Sequence, residues 1–147
     1  AYMMQKLQQE RLISAAFSQS LAERMLAASI DYAKSRDVFG RPVSKHQHNA
    51  FKIAEMATEI KLGRVFINDL ITDHIAGKDI VTGVSMAKWW IGEMANRVAY
   101  NAMQLYGGFG YMEEYSIARD FRDVRSHTIF AGSSEVMKLI IARKLGL

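Results

Sequence analysis

Residues 81–106, VTGVSMAKWWIGEMANRVAYNAMQLY, form the stretch of this sequence with the clearest helical pattern. Its apolar residues recur at steps of three or four, which places them on one face of an α-helix. They are Ala87, Ile91, Met94, Val98, Ala102 and Leu105. The pair Gly107-Gly108 follows directly, and glycine commonly ends a helix. The pattern therefore predicts a helix from Val81 to Tyr106 with one continuous apolar side.

Less regular patterns on either side predict further helices. A first helix is expected over residues 6–36, with Ile13, Phe17, Leu21, Met25, Ala28 and Tyr32 as its apolar stripe. Gly40 and Pro42 should end it. A second helix is expected over residues 44–76 with Ser44 as a plausible N-cap, and a short one over 116–125. A last helix begins near Ser133, with Ser133 or Ser134 as its cap. No strand pattern of useful length occurs.

Three long helices, a shorter C-terminal one and brief connections favour an all-α, up-down four-helix bundle. The 147 residues are enough for one domain with a core. No apolar run approaches the roughly 20 residues of a membrane span, and the first ten residues lack the apolar core of a signal peptide.

Charge and metal-ligand content restrict the function classes. The net charge is +4, but the 19 basic residues are scattered along the chain, so we expect no nucleic acid partner. Cysteine is absent, which excludes disulfides and thiolate metal sites within the sequence. The four histidines have no convincing ligand spacing, and we expect no metal.

Several motifs follow one another in order. They are Gln9-Glu10-Arg11-Leu12, the segment from Tyr32 to Gly40, His46-Gln47, the segment from Gln104 to Tyr115, Arg119 with Arg122-Asp123, and the segment from Ala131 to Glu135. In this order and spacing they resemble the C-terminal helical domain of acyl-CoA dehydrogenases, flavoenzymes that desaturate acyl-CoA thioesters. The resemblance covers nearly the whole chain and is greatest to the long-chain type. It implies that residues 1–147 are one domain of a longer protein, whose N-terminal helical domain and middle β-domain lie outside this sequence.

The resemblance implies FAD as cofactor. Arg36 and Phe39 would reach the adenosine diphosphate part of a flavin bound mainly by a neighbouring subunit, with help from Gln47. Gln104, Leu105, Tyr106, Gly107 and Gly108 would contact its adenine half. Ser133, Ser134 and Glu135 stand where a helix begins, and free backbone N–H groups there suit a phosphate or a polar flavin edge. The alternatives are purely structural: Arg36 at a helix dipole, a glycine helix stop, and an ordinary N-cap.

Ala131 stands where many members of the family carry the glutamate that acts as catalytic base. In long-chain and isovaleryl-type members, the base instead begins the first long helix, immediately before an Arg-Leu pair, and Glu10 matches that position. The resemblance thus implies Glu10 as the base, Arg11 as a substrate-binding residue, and Ala131 and Gly132 as backbone contacts to the substrate. The alternative is that Glu10 is an ordinary glutamate near the start of a helix.

The expected reaction is FAD-dependent α,β-dehydrogenation of acyl-CoA, in which Glu10 takes the α-proton and hydride passes to the flavin. Expected partners are the acyl-CoA substrate, an electron-transfer flavoprotein as acceptor, and further copies of the chain in a dimer or tetramer. The compartment would be bacterial cytoplasm or the mitochondrial matrix, and the isolated domain should be inactive. The alternatives are an acyl-CoA oxidase, a DNA-associated flavoprotein, or a non-catalytic helical oligomerisation module.

Overall fold

The computed structural model describes the backbone of residues 2–147 and the side chains of residues 7–147. Five α-helices make up most of the chain: α1 (Tyr2–Ser35), α2 (Gln47–Ile75), α3 (Val81–Tyr106), α4 (Ser116–Arg125) and α5 (Ser134–Lys144). Short 3-10 turns occupy Val43–Lys45, Gly107–Tyr111 and Ser126–Thr128. The all-α prediction is confirmed, and α3 and α4 have the predicted bounds.

The helices α1, α2, α3 and α5 alternate in direction, as predicted. Leu70 of α2 packs on Gly83 near the start of α3, whereas Glu59 of α2 pairs with Arg97 towards its end. Helix α5 is antiparallel to α3 as well, since its first residue contacts Glu93 and Lys144 near its end pairs with Asp79. Helix α3 packs against all four of the others and so forms the centre of the bundle.

The predicted apolar stripe of α1 is wrong at its first two members. Ile13 and Phe17 are 61% and 60% exposed. The buried face instead carries polar side chains between its aliphatic ones: Arg11, Ser14, Ser18, Gln19 and Ser29. Gln19, for example, donates to the carbonyl of Ile60 at 2.8 Å and to Glu23 at 2.9 Å. Bonds of this kind allow polar groups into a core, and hydrophobic periodicity does not detect them.

A short hairpin joins α1 to α2. Its two-residue strands, β1 (Asp37–Val38) and β2 (Arg41–Pro42), pair antiparallel around Phe39-Gly40. Phe39 and Gly40 have φ values of 53° and 78°, which matches the left-handed turn that two-residue hairpins favour. Ser44 is not the N-cap of α2, because the Val43–Lys45 turn delays the helix and His46 occupies the cap position.

Candidate active site

One pocket collects most of the predicted cofactor-binding residues. It has a volume of about 710 Å³ and lies where the C-terminal ends of α1 and α3 meet the hairpin. Both helices run in the same direction, since Tyr106 at the end of α3 donates a hydrogen bond to Ala28 in the C-terminal part of α1, whereas Lys88 near the start of α3 lies close to Arg11 near the start of α1. The predicted residues that line the pocket are Arg36, Phe39, Gln104, Leu105, Tyr106, Gly107 and Gly108.

Aromatic side chains form one wall of this pocket. The rings of Tyr32 and Tyr106 stack at 4.0 Å, and Tyr115 contacts both edge-on. Burial is the main cause that raises the pKa of Tyr106, so its hydroxyl stays protonated and donates to the Ala28 carbonyl at 3.0 Å. Tyr32 and Tyr115 were not among the predicted site residues. Both lie in segments that carry the family resemblance, and Tyr32 also belongs to the predicted apolar stripe of α1.

Two cofactor candidates stand at the rim of the pocket. The guanidinium of Arg36 lies 5.4 Å from the ring centre of Phe109 and is otherwise exposed. Phe39 is 94% exposed at the hairpin tip and has a left-handed backbone that is unfavourable for a non-glycine residue. The two-residue hairpin turn accounts for this backbone conformation. The ring of Phe39 contacts the ring of His46 edge-on, with 6.3 Å between the ring centres.

The glycine pair behaves differently at its two positions. Gly107 has φ of 60° and ψ of −140° at the C-terminus of α3, a conformation that favours glycine. Gly108 has no such conformation, and a Cβ built on it would meet no atom within 4 Å. The packing of the chain therefore does not require glycine at position 108, and the space beside it opens onto the pocket.

Gln47 is the one member of the predicted adenosine-side group that the structure does not bring into this pocket. It is exposed at the first residue of α2, whereas His46 and Asn49 line the pocket on that side. The ring of His46 contacts the Val38 carbonyl at 2.9 Å and thereby ties the hairpin to the start of α2.

Ser133, Ser134 and Glu135 line a second, polar recess of about 320 Å³ at the start of α5. Ser133 is the N-cap, and its Oγ accepts from the Val136 N–H at 3.4 Å. Ser134 donates to Glu93 of α3 at 2.7 Å. Hydrogen bonds from its own backbone N–H and from Ser133 lower the pKa of Glu135. The capping role is thus present, and it leaves a role towards a ligand open.

A buried cationic cluster lies beside the turn that precedes α5. Ala131 and Gly132 have φ values of 55° and 100°, both left-handed. The carbonyl of Gly132 accepts a hydrogen bond from Nζ of Lys88. A Cβ built on Gly132 would lie 3.8 Å from Nε and Nη2 of Arg11, so the Arg11 guanidinium abuts this turn. Sequence reasoning assigned no role to Lys88, because a single lysine on a helix usually points to solvent.

The two cations of this cluster are desolvated. Burial lowers the pKa of Arg11, and burial together with the charge of Arg11 lowers that of Lys88 to about 8. Within residues 7–147, Nε and Nη1 of Arg11 are buried with no hydrogen-bond partner. Buried polar atoms without partners are uncommon, so the Arg11 guanidinium is a candidate for a functional role.

Glu10, the predicted base, precedes Arg11 on α1 and is exposed. Because Arg11 reaches Gly132, the start of α1 and the Ala131–Gly132 turn belong to one region of the molecule. Of the predicted substrate-side residues, the structure thus brings the buried Arg11 side chain against Gly132, next to Ala131, at the end of the bundle opposite the large pocket, while Glu10 is exposed on α1.

Across the described side chains, no group of three His, Cys, Asp or Glu residues is placed to hold a metal ion. No helix within the described part of the chain is apolar over enough length to cross a bilayer.

Comparison with known proteins identifies the family to which this helical bundle belongs. Residues 1–146 match the model of the family described as "Acyl-CoA dehydrogenase, C-terminal domain". The long-chain specific mitochondrial acyl-CoA dehydrogenase of Sus scrofa is 41% identical over 144 residues, which are 98% of this chain and 34% of that protein. The chain in a crystal structure of acyl-CoA dehydrogenase from Geobacillus kaustophilus is 58% identical in sequence and superposes with a TM-score of 0.98. The match covers 99% of this chain and 38% of that chain. A structure of PigA with FAD and proline is 28% identical, with a TM-score of 0.92 over 96% of this chain and 37% of that one.

The fold is an all-α bundle. A pocket lined by aromatic side chains lies at one end, and the left-handed turn with the buried cations Arg11 and Lys88 lies at the other. The chain belongs to the acyl-CoA dehydrogenase family and corresponds to its C-terminal domain. It spans about a third of the length of the curated relatives that it matches.

Proposed function

We propose that the protein containing this chain is an FAD-dependent acyl-CoA dehydrogenase, which introduces an α,β double bond into an acyl-CoA thioester. The observation that carries the proposal is the contact between the Arg11 guanidinium of α1 and the Gly132 turn. Because Glu10 directly precedes Arg11, this region would supply the carboxylate, the cation and the left-handed turn that α-proton removal from a thioester needs. Residues 1–147 contribute one domain to this protein, and the N-terminal helical and middle β-domains lie outside them.

Glu10 is the proposed catalytic base. The α-proton of a thioester is weakly acidic, so a base has to be held close to it and in the right direction. Ala131 has no group that accepts a proton. Glu10 directly precedes Arg11, whose guanidinium abuts Gly132, and the Glu10 side chain is exposed.

Arg11 and the turn would hold the substrate. As the α-proton leaves, negative charge develops on the thioester oxygen, and hydrogen-bond donors fixed in advance stabilise it. We assign the backbone N–H of Ala131 to this role, with Gly132 shaping the turn. Arg11 would bind a polar part of the acyl or pantetheine portion through the two nitrogens that lack partners among the described residues.

The large pocket fits the adenosine diphosphate part of FAD. Arg36 would pair with the pyrophosphate, and Phe39 and the segment from Gln104 to Gly108 would enclose the adenosine. The open space beside Gly108 supports this assignment. Gln47 would assist from outside the pocket lining. FAD supplies the acceptor for the hydride that leaves the β-carbon of the substrate.

The recess at the start of α5 would serve another part of the cofactor. Glu93 beside it and Gln104 at the first pocket are eleven residues apart on α3, or about 16 Å along a helix. We assign Ser133, Ser134 and Glu135 to the polar edge of a flavin ring. We assign the first pocket to the adenosine diphosphate part of a flavin that is held mainly by a neighbouring subunit.

This arrangement implies a homo-oligomer, a dimer or tetramer, in which the hairpin tip of one copy reaches the cofactor of another. Large apolar side chains that this chain leaves exposed fit such contacts. They include Phe39, Phe51, Leu62 and Val65. An electron-transfer flavoprotein is the proposed acceptor of the reducing equivalents. Bacterial cytoplasm and the mitochondrial matrix are the proposed compartments.

Reduction of the bound flavin by substrate tests this proposal. The full-length protein is loaded with FAD and mixed anaerobically with acyl-CoA thioesters of different chain lengths. We expect the flavin absorbance to bleach, and we expect Glu10→Gln to slow bleaching by about 10²- to 10⁴-fold, the usual contribution of a general base. Glu114→Gln, at an exposed glutamate near α4, is the matched control and should bleach at the wild-type rate. A wild-type flavin that no acyl-CoA reduces would contradict the function, and rapid bleaching of Glu10→Gln would contradict the base.

A further inference from the structure

Lys88 is buried to an extent that is unusual for a lysine. It is 1% exposed and is the largest of the fully buried side chains among the described residues. Its Nζ donates to the backbone carbonyl of Gly132 and lies 5.8 Å from the ring centre of Phe130. Neither partner is a carboxylate. Lysine is seldom fully buried without an ion-pair partner, so this contact needs a reason other than charge neutralisation.

The electrostatics around Lys88 also oppose its burial. Arg11 faces it from α1, and both burial and the Arg11 charge disfavour the ammonium form. The nearby ring of His127 carries no compensating negative charge, and burial together with the charge of Lys88 lowers the pKa of that histidine. An aliphatic side chain at position 88 would avoid these penalties. The group that the ammonium does satisfy is the Gly132 carbonyl.

That carbonyl belongs to a backbone segment that is costly to hold in place. Ala131 and Gly132 are consecutive left-handed residues, and an alanine in this region is strained. The space beside Gly132 is occupied, since an added Cβ would lie 2.6 Å from Cε of the buried Met137. Strained backbone persists only where its surroundings fix it, and it concentrates at functional sites.

Helix α3 fixes the whole connection from α4 to α5 at several points. Asn96 donates to the Val124 carbonyl at 3.0 Å, and a Cβ added to Gly92 would meet the His127 carbonyl at 3.0 Å. Glu93 accepts from Ser134 just after the turn. Lys88 is the member of this series that reaches the left-handed turn itself.

We propose that Lys88 is a positioning residue: its charge-assisted hydrogen bond to the Gly132 carbonyl holds the Ala131–Gly132 turn in the conformation that aims the Ala131 N–H at the substrate thioester. The proposal rests on the proposed function for what the turn does, and on the structure alone for what holds the turn. Lys88 touches no reacting atom in this account. It acts through the backbone of the turn.

The experiment compares three variants of the full-length, FAD-loaded protein. Lys88→Met removes the ammonium and keeps an unbranched apolar chain. Lys88→Arg keeps a cationic donor at the same place. Lys61→Met, at an exposed lysine of α2, is the matched control for losing one lysine. Each is examined by amide hydrogen exchange of the peptide that contains Ala131 and Gly132, and by kcat and KM with an acyl-CoA substrate.

A hydrogen bond to a charged group is worth enough to change a local equilibrium or a rate by about 10- to 100-fold. We therefore expect Lys88→Met to speed exchange in this peptide, and to lower kcat, by about that factor. KM, FAD content and exchange in α2 should stay within about threefold of wild type. Lys88→Arg should recover most of both losses, and Lys61→Met should match wild type.

Three results would overturn the proposal. In the first, Lys88→Met leaves exchange at the turn unchanged. In the second, exchange rises equally throughout the bundle, which would mean that Lys88 only stabilises the fold. The third applies if Lys88→Met fails to fold: the amides of the turn then exchange rapidly in a folded Lys88→Arg protein, although arginine keeps a cationic donor. A wild-type protein that does not oxidise acyl-CoA would contradict the proposed function instead, and the exchange comparison would still test the Lys88 contact.

Discussion

Gly110 offers a sharp test of how the cofactor pocket is built. It follows the glycine pair in the Gly107–Tyr111 turn and is buried against the end of α3. A Cβ added there would lie 2.6 Å from the carbonyl oxygen of Met103 and 3.0 Å from Cβ of Tyr106. Both atoms belong to or adjoin the backbone, so neither can rotate away. The turn or the helix end would have to move by about 0.4 Å to reach even the closest tolerable contact.

Gly110→Ala should therefore destabilise the protein. Overpacking of this kind costs about 1–3 kcal/mol, and the reduced freedom of the unfolded chain returns about 0.4–1 kcal/mol. The expected net loss in the free energy of unfolding is on the order of 1–2 kcal/mol. Urea unfolding of the FAD-free protein, followed by far-UV circular dichroism, measures it.

Gly108→Ala is the matched control for this stability measurement. It lies two residues away in the same turn, and an added Cβ there meets no atom within 4 Å. Its free energy of unfolding should equal or slightly exceed that of wild type. If Gly110→Ala were as stable as Gly108→Ala, the tight packing of the turn against Met103 and Tyr106 would be refuted.

The remaining predictions concern the cofactor and one buried carboxylate. Gly108→Ala should weaken FAD binding by about tenfold or more, because its methyl group would occupy space next to the bound cofactor; equilibrium titration with FAD checks this, and an unchanged affinity would remove Gly108 from the site. Arg36→Gln should also weaken FAD binding by about tenfold, and its affinity should fall less steeply with added salt, since a charged contact to phosphate is lost; equal salt dependence in both proteins would argue against that contact. Arg24→Met should lower the free energy of unfolding at pH 7 by about 1–2 kcal/mol, because it leaves the buried Asp120 carboxylate without its cation. Burial raises the pKa of Asp120, so this carboxyl is protonated in the folded protein at a higher pH than in the unfolded chain. The loss in the free energy of unfolding caused by Arg24→Met should therefore shrink as the pH falls towards about 4. A loss that grew on acidification would contradict the assignment.

The sequence predicted the fold best where hydrophobic periodicity alone determines burial. Helix α3 is at the centre of the bundle, and the residues of its apolar stripe from Ala87 to Ala102 are buried as predicted. Helix α1 has polar residues on its buried face. Their hydrogen bonds depend on partners far along the chain, such as His127 for Ser18, so a pattern of apolar residues could not identify that face.

The candidate site likewise has one part that sequence motifs predict and another part that only the tertiary structure shows. Arg36, Phe39 and the segment from Gln104 to Gly108 line one pocket because α1 and α3 run in parallel and end at the same level. Motifs at helix ends carry that information. Lys88 has no such signal: its role follows from its burial and from the one carbonyl that it reaches, and both are properties of the tertiary structure.

In the proposed reaction, Glu10 removes the α-proton of the substrate, because the Ala131 side chain in the nearby turn cannot accept a proton. Exchange of the substrate α-hydrogen with solvent tests that step without any redox chemistry. The FAD-loaded, full-length protein is incubated in D₂O with an acyl-CoA analogue that carries sulfur in place of its β-carbon, so that no hydride leaves, and deuterium at the α-carbon is measured by mass spectrometry. We predict that wild type and Glu114→Gln incorporate deuterium, and that Glu10→Gln does so about 10²- to 10⁴-fold more slowly. Incorporation by Glu10→Gln at the wild-type rate would contradict the account.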